Sequence, residues 1–192
     1  MSVIPKQDDG CIYWKFDNDV DSDTCKKIIS IAENKWETAT TKKVVQNKRK
    51  TKVHWTTEQW LYDIVFDYMH TANKNSGWNF EIDGAESMQI GRYGKGCFYN
   101  THNDGDGTTL YNYPDNKWMH KKTRKLSMSI LLNDDYEGGG FKFAGNIDNP
   151  IGGNGTKGTV IVFPSYHSHS VEKVTKGIRY SLVVWFLGKG FK

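Results

Sequence analysis

From residue 78 onward the chain stops keeping a helical period, and that change constrains the fold more than any other feature. Six segments follow: "WNFEI" (78–82), "ESMQIGRYG" (86–94), "KLSMSILLN" (125–133), "FKFAG" (141–145), "GTVIVFPS" (158–165) and "RYSLVVWFLG" (179–188). All are short and rich in β-branched or aromatic residues, and Gly, Asn and Asp clusters separate them, as expected of strands. No helical stretch lies between them to carry a parallel crossover, so a closed or double-layered antiparallel sheet is expected rather than a βαβ fold.

Upstream the texture is helical. In "DVDSDTCKKIISIAENKW" the apolar Cys25, Ile28, Ile29, Ile31 and Ala32 recur at helical spacing behind Asp and Ser capping candidates, which predicts a helix from about Asp23 to Asn34. A second helix carries Trp60, Leu61, Ile64, Val65, Tyr68 and Met69 on one stripe, with Thr56 or Thr57 as cap and Gly77 beyond its end. The fold class read from this order is mainly β with N-terminal helices (α+β). One domain is expected over residues 1–192, with helical support about 20–75 and a β core about 78–187.

Composition narrows the function classes. There is no run of eighteen apolar residues, and the first residues "MSVIPKQDDGC" lack the order of a signal peptide, so neither a membrane nor export is expected. Three cysteines, Cys11, Cys25 and Cys97, form no CxxC pair and suit a reducing cytosol, hence a cytoplasmic expectation. The net charge of +4 is concentrated in "TKKVVQNKRKTK" (41–52), which reads first as a solvated loop; a nucleic-acid partner is not expected.

Several motifs fail on context. "GNGTKG" (153–158) matches G-x-G-x-x-G but leads into a strand instead of opening a helix. "DNDVDSD" begins like a calcium loop yet lacks the Gly and Glu that such a loop needs at its sixth and twelfth places. What survives is "FYNTHND" (98–104). Along an extended backbone, residues i and i+2 point to one side, so His102 and Asp104 can grip one object. A histidine from "VFPSYHSHSVEKV" would complete two histidines and one carboxylate, the facial arrangement that ligates non-haem Fe(II) and leaves three positions open. Two open positions suit a chelating 2-oxo acid and one suits O2. Arg179 follows His169 by ten residues, where its charged fork suits a distal carboxylate, and Ser181 shares its side of the strand.

These runs, "YGKGCFYNTHND", "GGGF" and "FPS...H.V..V..G.RYS...W", resemble the prolyl 4-hydroxylase superfamily of Fe(II)/2-oxoglutarate dioxygenases, and "ANKNSGWNFEIDGAESMQIGRY" is most similar to PKHD-type hydroxylases of bacteria and their phages. The resemblance runs from the first helix to residue 187. It implies a double-stranded β-helix (jelly-roll) core, with His102, Asp104 and His169 as iron ligands. Arg179 would bind the 5-carboxylate of 2-oxoglutarate with Ser181 beside it; Tyr93 would hydrogen-bond the cosubstrate, and Trp185 would stand near the iron pocket. "HSH" offers both His167 and His169, and the family pattern, with Val two residues and Arg ten residues after the ligand, selects His169. Leu131 stands where some animal relatives carry a tyrosine on the distal carboxylate, which leaves more of that binding to Arg179 and Ser181.

The implied activity is hydroxylation of an unactivated C–H bond in a prolyl or other amino-acid residue, with 2-oxoglutarate decarboxylated to succinate and CO2. Ascorbate is the implied supporting reductant, and the implied place is the bacterial cytoplasm, or the host cytoplasm if the gene is a phage's. Nucleic-acid demethylation would go with a second arginine six residues after Arg179, but position 185 is Trp; halogenation would require loss of Asp104. A hydroxylase of a non-peptide small molecule and a non-catalytic jelly-roll binding module are the alternatives. Segments 41–56 and 105–122 are expected to border the substrate groove and close over it.

Overall fold

A computed structural model describes residues 11–39, 49–145, 151 and 156–191 of the 192-residue protein. Among these, two helices and fourteen strands follow one another in the order β1 (Trp14–Phe16), α1 (Ser22–Ile31), β2 (Glu37–Thr38), β3 (Arg49–Lys50), β4 (Lys52–Thr56), α2 (Gln59–Asn75), β5 (Gly84–Ala85), β6 (Met88–Tyr93), β7 (Phe98–His102), β8 (Lys122–Leu131), β9 (Tyr136–Gly138), β10 (Phe141–Phe143), β11 (Val160–Pro164), β12 (His169–Val171), β13 (Val174–Gly177) and β14 (Arg179–Lys189). Every strand pairing is antiparallel, as the strand texture predicts.

An eight-stranded sheet runs β1-β11-β8-β14-β6-β4-β2, with β5 also on β14. A four-stranded sheet runs β10-β12-β7-β3, and β13 pairs with β9. The helices do not simply precede the strands. β1 lies before α1, and β2 and β4, between the helices, extend one edge of the large sheet; these short segments carry too few residues for a period to be read from sequence.

The period of two divides the large sheet into a dry face and a functional face. Met88 and Ile90 of β6, Leu126, Met128 and Ile130 of β8, Val160 and Val162 of β11, and Leu182, Val184 and Phe186 of β14 are buried in one core with Ile28 of α1 and Leu61, Val65 and Met69 of α2. Burial of each such side chain stabilises the fold by roughly 1.5–3 kcal/mol. The alternate residues, among them Gln89, Tyr93, Ser129, Phe163, Arg179, Ser181 and Trp185, line a cavity with residues of the four-stranded sheet.

Both helices depart from expectation at their ends. Asp21, one of the Asp capping candidates, caps α1 as expected: its carboxylate accepts from the backbone N–H groups of Asp23 and Thr24, both at 2.9 Å. α1 stops at Ile31, and Asn34 takes φ +60°, a turn conformation that the apolar spacing could not reveal. α2 starts after Glu58 without a capping side chain, because Thr56 belongs to β4; its hydroxyl only approaches the Glu58 N–H at 3.4 Å. Gly77, at φ +79°, lies beyond the end of α2 as expected.

"WNFEI" is not a strand. Asn79 takes φ +50°, and the Asn73 side chain of α2 both donates to the Phe80 carbonyl and accepts from its N–H, each at 2.9 Å. A helix side chain thus takes the place of a strand partner, and Trp78 is tied to the Cys11 carbonyl at 2.7 Å.

Candidate active site

His102 ends β7 and His169 begins β12, and the two are direct cross-strand partners in the four-stranded sheet. Asp104 lies in a bend just beyond β7, where its own N–H and that of Gly105 donate to the Ser165 carbonyl at 3.1 and 3.0 Å. That double anchor swings the carboxylate inward: Oδ1 is 3.7 Å from His102 Nε2 and Oδ2 is 3.6 Å from His169 Nε2. One donor atom from each of the three residues lies within 4.8 Å of the others. His167 is outside this cluster, its ring against Tyr166.

Both histidines are oriented alike. His102 Nδ1 lies 2.8 Å from the Asn100 carbonyl and His169 Nδ1 lies 3.0 Å from the His167 carbonyl. A carbonyl can only accept, so each Nδ1 carries the proton and each Nε2 turns a lone pair toward Asp104. This is how metal-binding histidines are commonly held. Tyr99 stacks on the His102 ring at 3.5 Å, and Phe141 and Phe163 flank His169 at 5.2 and 4.8 Å, so neither ring is free to turn.

The protonation states match. Burial, helped by the neighbouring His169, pushes His102 down to about 4, so the ring is neutral at physiological pH. Burial alone would raise the Asp104 carboxyl; the fields of His169, Arg124 and His102 and a hydrogen bond from Ser127 outweigh it and hold Asp104 below the usual carboxylate range. A neutral His102 and an ionised Asp104 are the states in which these groups bind a divalent first-row metal, and the donor set of two imidazoles and one carboxylate fits Fe(II).

The cluster opens on a cavity of about 450 Å³, a size typical of small-ligand sites. Arg179, Ser181, Tyr93 and Trp185 all line it. Arg179 is only 1% exposed, yet among the described residues it forms no ion pair with a carboxylate. Its Nη1 donates to Ser181 Oγ at 3.1 Å, the Tyr136 hydroxyl hydrogen-bonds it, and Nε finds no partner. A buried guanidinium is costly unless a counter-ion arrives, and a carboxylate from a ligand is the group it fits. The Tyr93 ring lies under it, with Cζ 5.4 Å from the ring centre. Leu131 is fully buried opposite Ser181 and offers no polar group.

Sequence reading missed the other polar wall. Arg124 of β8 grips Glu86 with two hydrogen bonds of 2.7 Å, donates to the Asp104 carbonyl at 3.2 Å, and stacks on Trp185 with Cζ 4.1 Å from the ring. Tyr111 donates to the same glutamate at 2.8 Å. Burial would lower the Arg124 pKa, but Glu86 outweighs it and raises it. Nothing in the local sequence marks a pair 38 residues apart that only strand pairing brings together. Tyr111 comes from the 105–122 loop, and Arg49 and Trp55 come from the described part of the 41–56 segment; residues 41–48 lie outside the described residues.

The profile described as the 2OG-Fe(II) oxygenase superfamily matches residues 88–187, from β6 through most of β14. The chain belongs to this superfamily. Among curated proteins, a PKHD-type hydroxylase of Thermosynechococcus vestitus is 35% identical over an alignment of 107 residues that covers 51% of this chain and 41% of that protein. The chain spans about two-fifths of the length of the curated relatives it matches. Among solved structures, the viral collagen prolyl hydroxylase of Paramecium bursaria Chlorella virus 1, solved as its 2OG complex, aligns with a TM-score of 0.71 at 20% identity, over 94% of this chain and 98% of that one. A Pseudomonas putida prolyl-4-hydroxylase aligns with a TM-score of 0.69 at 15% identity, over 93% and 94%. At these identities the likeness shows an oxygenase fold. Among the described residues, no helix is long and apolar enough to cross a membrane.

Proposed function

We propose that this protein is an Fe(II)- and 2-oxoglutarate-dependent dioxygenase that hydroxylates an unactivated C–H bond of a prolyl or other amino-acid residue. His102, Asp104 and His169 would hold the iron, and the antiparallel sheets around them are read as a double-stranded β-helix within one domain. The observation that carries the reading is Arg179: a buried guanidinium without a carboxylate partner among the described residues, in the same cavity as the His-Asp-His cluster.

The bound metal would supply, together with 2-oxoglutarate and O2, the oxidative decarboxylation that yields succinate and CO2 and places one oxygen atom in the C–H bond. Arg179 and Ser181 anchor the far carboxylate of 2-oxoglutarate through charge-assisted hydrogen bonds. The Tyr93 ring under the guanidinium limits where that carboxylate can lie, and its hydroxyl is assigned to the cosubstrate. Trp185, 7% exposed and stacked against Arg124, walls the cavity on the acceptor side. The apolar flanks Phe141, Phe163 and Val171 keep water from the His169 side of the cluster. Ascorbate as supporting reductant and a cytoplasmic location belong to the same reading. So does an amino-acid or peptide acceptor, the kind of partner present in the solved complex of a Trichoplax adhaerens prolyl hydroxylase with a peptide fragment.

The test is anaerobic reconstitution with Fe(II) followed by 2-oxoglutarate and then O2. A visible charge-transfer band on adding 2-oxoglutarate, and succinate on adding O2, are expected. Folded, metal-loaded protein giving neither would move the assignment to a binding module.

A further inference from the structure

The cavity holds one more cation that the proposed reaction leaves unused. Arg49 of β3 stands opposite Tyr99 of β7, with its Cζ 4.6 Å from the centre of the Tyr99 ring, and Tyr99 in turn stacks on His102. Arg49 Nη2 donates to Gln89 Oε1 at 2.6 Å, and its buried Nε–H finds no acceptor. Among the described residues it forms no ion pair, whereas the charge of Arg124 in the same cavity is taken up by Glu86.

Arg49 and Arg179 are anchored at different points of the cavity wall. Gln89, which Arg49 holds, and Tyr93, which pairs with Arg179, lie on the same face of β6. The backbones of these two anchors are four residues apart along an extended strand, roughly 13 Å. In the dioxygenase reading the far carboxylate of 2-oxoglutarate goes to Arg179, and Arg49 keeps no carboxylate partner among the described residues.

We infer that Arg49 recognises a free carboxylate on the acceptor substrate, which makes that substrate a free amino acid or the C-terminal residue of a peptide rather than an internal peptide segment. The inference rests on the dioxygenase reading. A guanidinium is always charged, and this one is held by both Tyr99 and Gln89, so little order is lost when it takes a planar carboxylate. With one aromatic ring between it and His102, a carboxylate on Arg49 sets the reacting carbon within a few bonds of the acid group.

The experiment uses Zn(II)-loaded protein saturated with 2-oxoglutarate and two probes that differ only in the carboxylate, N-acetyl-L-proline and N-acetyl-L-prolinamide. The readout is the Arg49 Nε–H resonance, assigned by its loss in Arg49→Gln, with calorimetry for affinity. The acid is expected to shift the resonance saturably and to bind at least about tenfold more tightly than the amide. Arg49→Gln should erase that preference, and Arg49→Lys should keep part of it. Equal affinity for acid and amide, a preference that survives Arg49→Gln, or failure of both probes to bind overturns the inference. Affinity for 2-oxoglutarate is the folding control and separates the two readings. Normal 2-oxoglutarate binding without an acid preference overturns the carboxylate subsite alone, loss of 2-oxoglutarate binding in the unsubstituted protein overturns both, and weakened 2-oxoglutarate binding in Arg49→Gln would assign Arg49 to the cosubstrate.

Discussion

Arg124 and Arg179 stand in one cavity, on neighbouring strands of one sheet, and meet opposite environments. Arg124 is neutralised by Glu86 in a two-bonded pair, roofed by Trp185 and buttressed by Tyr111. Arg179 is more deeply buried and is met by the hydroxyls of Ser181 and Tyr136 and the ring of Tyr93, with no carboxylate beside it among the described residues. A compensated charge of this kind holds strands and rim together; an uncompensated one costs stability and is explained by an anion that arrives from outside. The contrast divides the cavity into a wall that is finished without ligand and an end that is not.

The comparison breaks most visibly at the His-Asp-His cluster that shares their cavity. Asp104→Ala should abolish turnover and weaken divalent-metal affinity by more than the roughly 10–100-fold typical of losing a supporting residue. The melting temperature of the metal-free protein should hold within a few degrees, since the backbone bonds of residues 104 and 105 to Ser165 remain. Metal titration and circular dichroism check both halves.

Acidification is the next largest effect. The unfolded protein takes up a proton on His102 near the ordinary value of 6.5, whereas the folded, metal-free protein does so only near about 4. Stability is therefore full above pH 6.5 and falls as pH drops from there toward 4, by up to about 3 kcal/mol. The lowered Asp104 pKa adds a loss of the same sign at still lower pH. Urea unfolding of the metal-free protein as a function of pH checks this, and His102→Gln should flatten the profile.

The two arginines can then be set against each other directly. Arg124→Gln leaves the buried Glu86 carboxylate without its counter-ion and with only the Tyr111 hydroxyl, and should cost about 2–3 kcal/mol, less than a fully buried pair because the Arg124 side chain is 20% exposed. Arg179→Gln should cost less than about 1 kcal/mol, since a desolvated charge is removed along with its two hydroxyl contacts. Equal losses in urea unfolding would erase the distinction. The smallest effect expected is that of Ser181→Ala, a loss of about 1 kcal/mol in 2-oxoglutarate binding, or roughly fivefold, by calorimetry.

How much of this was legible in the sequence follows from the range over which each signal acts. His102, Asp104, His169 and Arg179 were readable because a strand fixes side-chain direction over two residues and a family pattern fixes the longer spacings. The large strands β6, β8, β11 and β14 showed in their composition. Glu86, Arg124 and Arg49 were not readable, since their partners are chosen by strand pairing across long stretches of sequence. "WNFEI" misled because its composition is that of a strand while Asn73 of the preceding helix binds the backbone of Phe80. The strict order of helices before strands failed for the same reason that β1, β2 and β4 were overlooked: strands of two to five residues have no period to detect.

The most direct measurement is calorimetric titration of 2-oxoglutarate into Mn(II)-loaded protein, comparing the unsubstituted protein with Arg179→Gln and Arg124→Gln. Loss of the charge-assisted bonds at Arg179 should weaken binding about a hundredfold with the metal retained, while Arg124→Gln should stay within about threefold of the unsubstituted protein. Unchanged affinity in Arg179→Gln, or an equal loss in Arg124→Gln, would contradict the assignment of the uncompensated guanidinium to the cosubstrate.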